Sequence, residues 1–136
     1  MKVVLDINAL LVSIPKKSKY RPIFDALISG KFESVISNDI LSEYVEIIEQ
    51  KSNSLVANNI AELLLSLQNV FKVDIYFEWK LITVDFDDNK YVDAYVCSNA
   101  DYIITNDQHF NILKQIDFPK VNILSINEFL SIILEN

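Results

Sequence analysis

The sequence predicts an α/β protein: a three-layer α/β/α sandwich around a central parallel sheet. Three observations predict it. Short β-branched runs alternate with amphipathic helical patterns along the chain, the order that parallel βαβ units require. The apolar content, 51% of 136 residues, is enough for a buried core and argues against disorder. Glycine occurs once and proline three times, which leaves no flexible linker, so one domain spanning residues 1–136 is expected.

The first strand is "KVVLDIN", about residues 2–6, a β-branched run closed by an acid. The polar, proline-bounded "PKKSKYRP" is a loop. "PIFDALISG" is a helix, with Pro22 in its first turn, Ile23, Phe24, Leu27 and Ile28 on its apolar face, and Gly30 at its C-terminal cap. "ESVIS", about 33–37, is a second strand. "NDILSEYVEIIEQKS" is a helix capped by Asn38 or Asp39, with Ile40, Leu41, Tyr44, Ile47 and Ile48 as its stripe. "VANNIAELLLSLQNVF" is another, with Ile60, Leu63, Leu64 and Leu67 in phase. "LITV" is read as a short strand, and "DDNKYVDAYVCSN" as a helix starting near Asp88. "DYIIT" is a strand, "HFNILKQI" a short helix, "VNILS" a strand and "INEFLSIILEN" a closing helix.

Twelve Lys and Arg against 19 Asp and Glu give a net charge of −7. Taken alone, that balance argues against a nucleic-acid binder and favours a basic partner, a metal, or no charged partner at all. Cys97, the one cysteine, excludes an intrachain disulfide or a cysteine zinc site and reads as an inert core residue in a reducing cytoplasm. Asp6 and Asn8 interrupt the first apolar run, which argues against a signal peptide. No apolar run approaches the ~18 residues of a membrane span. A soluble, intracellular protein is expected.

The chemistry concentrates in acids at one edge of the predicted sheet. Sites in open parallel sheets form at the carboxyl ends of the strands. Asp6 closes the first strand, and Asp107 lies two residues past "DYIIT". Asp88 stands where a loop enters a helix, and Glu43 lies on the helix after the second strand. Glu43 has Ile40 and Ile47 as its i−3 and i+4 neighbours, so it falls on the apolar stripe, where a lone carboxylate is costly. Each acid also has an ordinary reading: a turn or cap for Asp6, snorkelling for Glu43, a helix N-cap for Asp88, an Asx-turn for Asp107. Their convergence is the argument for a site. No basic residue is placed to neutralise each of them, and oxygen-only ligands suit Mg²⁺ or Mn²⁺ rather than zinc.

The segments "VLDIN", "ISNDILSEYVEII" and "DFDDNKYVDA…NADYIITND", in this order and spacing, resemble the PIN domain family, in particular its VapC-like bacterial toxin branch. The resemblance covers nearly the whole chain. It implies a PIN-like sandwich and a metal-dependent endoribonuclease that cleaves RNA phosphodiesters with a metal-activated water. It also implies the toxin role in a toxin–antitoxin pair, with an antitoxin protein as partner. A homodimer is one assembly that the sequence leaves open. Carried over by motif, Asp6, Glu43, Asp88 and Asp107 match the acidic quartet, as catalytic and metal-binding residues. Asn8, Thr105 and Asn106 match polar positions beside it. Asp93 is a fifth acid, read as supporting the ligands or as an alternative ligand. His109, the one histidine, has either a substrate contact or a plain helix-start role.

The net charge departs from an easy nuclease reading. Substrate grip is therefore sought in "KKSKYR", above all Lys16 and Lys17, with Tyr20 as a stacking surface. An ordinary solvated loop is the competing view. A haloacid-dehalogenase-type phosphatase would need a second Asp where Asn8 stands, and nucleotide folds need a glycine-rich loop that Gly30 alone cannot make. The remaining alternative is a degenerate PIN-like module that binds RNA or a partner without cutting.

Overall fold

The computed structural model describes residues 1–135; Asn136, the last position of the expected closing helix, lies outside them. The chain runs β1 (Lys2–Leu5), α1 (Ile7–Ser13), α2 (Arg21–Ile28), β2 (Glu33–Ile36), α3 (Asn38–Lys51), α4 (Ser54–Ser66), β3 (Val70–Lys72), α5 (Asn89–Ser98), β4 (Tyr102–Ile104), β5 (Ile123–Leu124) and α6 (Ile126–Glu135). Short 3₁₀ segments stand at Phe86–Asp88 and Gln108–Gln115. The strands form one sheet in the order β3-β2-β1-β4-β5, and every pairing is parallel. This is the three-layer α/β/α sandwich that the alternating pattern predicts.

β1 is central because it can be buried on both faces: Val3, Val4 and Leu5 are all apolar and enclosed. α5 lies across β1, β2 and β4, and α2 packs on α1 and α6. Gly30, with φ +81°, ends the α2 region as expected, and Lys31 N–H donates back to the Ala26 carbonyl at 2.9 Å. Phe32 and Phe129 meet edge to face, 5.0 Å between centroids, and tie α6 to the entry of β2. Among the described residues no helix is long and apolar enough to cross a membrane.

Four sequence expectations are corrected. α1 was not expected. Its first residue follows Asp6 directly, because the Asp6 side chain caps it by accepting from Ala9 N–H at 2.7 Å. α3 is capped by Ser37, not by Asn38 or Asp39, the hydroxyl accepting from Ile40 N–H at 3.3 Å. "LITV" forms no strand; β3 lies earlier, in what reads as the end of a helix, because α4 stops at Ser66. Cys97 is exposed rather than in the core.

Residues 73–85 carry no regular structure, yet they are strapped to α5. Cys97 Sγ–H donates to the Asp74 carbonyl at 3.4 Å. Asp93 accepts from Trp79 N–H at 2.9 Å. Asn89 accepts from Ile82 N–H at 2.9 Å and donates to the Ile82 carbonyl at 2.8 Å. The side chains of α5 thus satisfy backbone groups that a sheet would otherwise satisfy.

Candidate active site

The register of β1 against β4 builds the first part of the site. Leu5 pairs with Ile104, so the next residue on each strand, Asp6 and Thr105, also lie side by side. The Thr105 hydroxyl donates to Asp6 Oδ2 and accepts from Asp107 N–H at 3.0 Å. One short side chain therefore links the strand-end aspartate to the acid two residues further on. Asp6 is almost wholly buried, and burial is the chief reason its pKa is raised. Hydrogen bonds from Thr105 and Ala9 oppose that rise, while the charges of Asp107 and Glu43 add to it.

Glu43 enters from the second turn of α3, with its side chain 19% exposed. Two consecutive residues of α5 hold it. The Tyr91 hydroxyl donates to Oε1 and accepts from Ile7 N–H at 3.1 Å. Lys90 Nζ stands 3.0 Å from Oε2 and 3.1 Å from Asp87 Oδ2. Burial alone would lower the Lys90 pKa, but Glu43 and Asp87 outweigh it and hold the ammonium above its ordinary range. A cleft of about 480 Å³ opens beside Glu43, lined also by Asp39, Glu46, Asp87, Lys90 and Asp93.

Asp88 supplies the third part. Its side chain makes no capping bond to α5, contrary to the ordinary reading of this residue; Asp85 instead caps the 3₁₀ segment, accepting from Asp87 N–H at 3.1 Å. Asp88 Oδ2 faces His109 Nδ1 at 3.3 Å, and Asp107 Oδ1 lies 3.4 Å from the same nitrogen. The Asp88 pKa is raised to about 6, first by desolvation and then by Asp85 and Asp107, with His109 opposing. Asp107 also accepts from His109 N–H at 2.9 Å, so its turn role and its place in the cluster coexist.

Of the basic residues, Lys90 pairs with Glu43, and the His109 ring faces Asp88 and Asp107. The quartet is linked by charge, Asp6 with Glu43 and Asp107, and Asp88 with Asp107. Asp93 lines the cleft beside Glu43, but its carboxylate accepts from Trp79 N–H and its charged neighbour is Glu78. Asn8 is exposed on the first turn of α1, Asn106 accepts from Ile126 N–H at 2.9 Å, and Lys16 and Lys17 are exposed in the α1–α2 loop. Asp85, Lys90 and Tyr91 escaped sequence reasoning as parts of the site. The signal for Asp85 is the spacing of the acids in "DFDD"; nothing in a single sequence pairs Tyr91 with Glu43.

Carboxylate oxygens gathered at this edge suit a hard divalent cation; burial first, and neighbouring acids after it, raise the pKa of Asp6 and Asp88. Among the described residues, the ligand side chains drawn within 4.8 Å of one another are Asp85, Asp88 and His109. The four predicted carboxylates thus span more than this tight group. A sequence-family model described as the PIN domain matches residues 2–109. Among solved structures, similarity is found to VapBC2 from Rickettsia felis bound to a promoter DNA fragment, with TM-score 0.61, 17% identity and coverage of 92% of this chain and 98% of that one. A Pyrobaculum aerophilum protein superposes with TM-score 0.64 at 14% identity, over 100% of this chain and 91% of its own. VapBC-1 from nontypeable Haemophilus influenzae gives 0.57 at 13%, over 93% and 99%. At these identities the likeness is one of fold. No curated protein matches the sequence.

Proposed function

The chain belongs to the PIN domain family, and from that premise we propose that it is a divalent-metal-dependent endoribonuclease, the toxin of a toxin–antitoxin pair. The observation that carries this reading is the meeting of buried Asp6 with Thr105, Asp107 and Glu43 at the carboxyl edge of the sheet. In this reading Asp6, Glu43, Asp88 and Asp107 hold Mg²⁺ or Mn²⁺, and we assign Asp93 to the loop that it anchors. When bound, the ion supplies charge stabilisation and an activated water for phosphodiester hydrolysis. Thr105 orients Asp6, and Tyr91 orients Glu43. Asn8, Asn106, Lys16 and Lys17 are the groups left to meet the RNA. The similarity to VapBC structures supports an antitoxin as protein partner.

A non-catalytic module that binds RNA or a partner is favoured by one feature: Glu43 and Asp88 already have Lys90 and His109 beside them. One assay separates the two. Wild type should cleave single-stranded RNA in Mn²⁺ or Mg²⁺ and stop in EDTA. Asp6→Asn and Asp107→Asn should each lower the rate by about two orders of magnitude or more, as the loss of a charge-stabilising group does elsewhere, with the circular dichroism spectrum unchanged. Undiminished cleavage by both variants rejects the assignment.

A further inference from the structure

Lys90 is a half-buried cation at a place where the proposed function puts a metal ion. Its side chain is 10% exposed and bridges Glu43 Oε2 at 3.0 Å and Asp87 Oδ2 at 3.1 Å. The two acids differ in surroundings, since the Glu43 side chain is 19% exposed and that of Asp87 is 75% exposed. With the Tyr91 hydroxyl on Oε1, both oxygens of Glu43 have a partner. We infer that Lys90 is a tethered counter-ion that competes with the divalent cation for Glu43, with Asp87 as the position it retreats to when the cation binds. The inference rests on the reading of Glu43 as a metal ligand and adds what regulates loading of that site.

The reason is charge. A divalent ion bonded to a carboxylate oxygen sits about 2.0–2.1 Å from it if it is Mg²⁺. An ammonium held 3.0 Å from the same oxygen would then face a doubly charged ion at short range, where little water screens the repulsion. Lysine can move, because a flexible four-carbon stem carries its charge. Asp87 lies one turn back on the chain, i,i+3 from Lys90, and faces water. Without the ion, Lys90 neutralises Glu43; with it, Lys90 pairs with Asp87 alone. The ion concentration at which the site fills is thereby set by an exchange of partners within one protein.

Mn²⁺ binding, measured by calorimetry or by the loss of the free-ion paramagnetic resonance signal, tests this without any turnover. Lys90→Met should bind Mn²⁺ about threefold to fivefold more tightly than wild type, the scale of one partly exposed ion pair, and should melt lower without metal. Lys90→Arg, which keeps the charge, should bind no more tightly than wild type. Asp87→Asn should weaken binding, because Lys90 loses its second partner. In the Lys90→Met background Asp87→Asn should change nothing. Lys90→Gln replaces Lys90→Met should the latter not fold. Unchanged or weaker binding by the neutral variants overturns the inference. So does an equal Asp87→Asn effect in both backgrounds, which would mark ordinary long-range charge. Glu43→Gln keeps the two readings apart. If it weakens Mn²⁺ binding while the Lys90 variants match wild type, only the counter-ion falls. If wild type binds no ion, or Glu43→Gln binds as wild type does, the ligand role of Glu43 falls and takes the inference with it.

Discussion

Asp88 bears the cost of gathering carboxylates in a single side chain. Its pKa is raised to about 6 by desolvation and by the charges of Asp85 and Asp107, whereas an unfolded Asp titrates near ~3.9. The folded protein thus binds the proton more tightly than the unfolded chain, so the ionised form is destabilising. That penalty is fully present above about pH 6 and is relieved as pH falls toward about 4. The raised pKa of Asp6 acts in the same direction. Asp88→Asn removes the charge without removing a cap, because the side chain makes none. Metal-free Asp88→Asn should therefore melt higher than wild type at pH 7, and the gap should close as pH falls toward about 4. In wild type, a divalent ion at a hundredfold excess over its Kd should add about 2.7 kcal/mol, and the variant should gain little of it. Equal responses to the ion in thermal melts would remove Asp88 from the metal. At this scale the sequence was partly legible. Glu43 announces itself by sitting on the stripe of Ile40, but its partners Lys90 and Tyr91 come from a distant helix and leave no local pattern.

Among the elements, the strap of residues 73–85 explains a buried acid that sequence reasoning had offered to the metal. Asp93 is nearly fully buried and spends its carboxylate on Trp79 N–H. An edge-to-face chain of Phe77, Trp79 and Phe118, with centroids 4.8 and 5.8 Å apart, continues the attachment. Asp93→Ala should cost about 1–3 kcal/mol, the loss of a part-buried hydrogen bond that leaves a donor unpaired. Amide exchange at Trp79 should accelerate, while Mn²⁺ affinity stays at the wild-type value. A large loss of Mn²⁺ affinity would return Asp93 to the ligand set. The strap was illegible because its bonds join side chains of α5 to backbone that carries no periodic pattern. The short elements failed for a related reason. β3 has three residues and continues an apolar helical run, and α1 begins directly after a strand whose apolar run it prolongs. The longer helices were legible because period and burial agree over many residues, and β1, β2, β4 and β5 because apolar runs mark them.

For the molecule as a whole the difficulty is its net charge of −7, which repels a polyanion at long range. If RNA is the substrate, as proposed, it must be gripped locally, and the loop between α1 and α2 presents cations. The Ser18 hydroxyl donates to the Val12 carbonyl at 2.5 Å, the Arg21 guanidinium donates to the Ile14 carbonyl, and the Tyr20 hydroxyl lies 3.0 Å from Asn127 Oδ1 on α6. Lys16 and Lys17 project from this anchored loop into water, and Lys19 Nζ stands 5.1 Å from the centre of the Tyr20 ring. Each lysine that neutralises a phosphate of a single strand releases counterions and contributes about 0.7 to the slope of log K against log salt. The double change Lys16→Ala with Lys17→Ala should therefore weaken RNA binding and flatten that slope by about 1.4 if both lysines touch phosphate. Mn²⁺ affinity and the melting temperature should stay within error of wild type, since neither side chain is packed. The two predicted effects differ in kind, which makes the test sharp. A change at the acidic edge alters metal binding and chemistry, whereas a change in this loop alters only the electrostatic grip. An unchanged salt slope would make these lysines ordinary surface, and the acidic protein would then need another cationic face to hold a strand against its carboxylates.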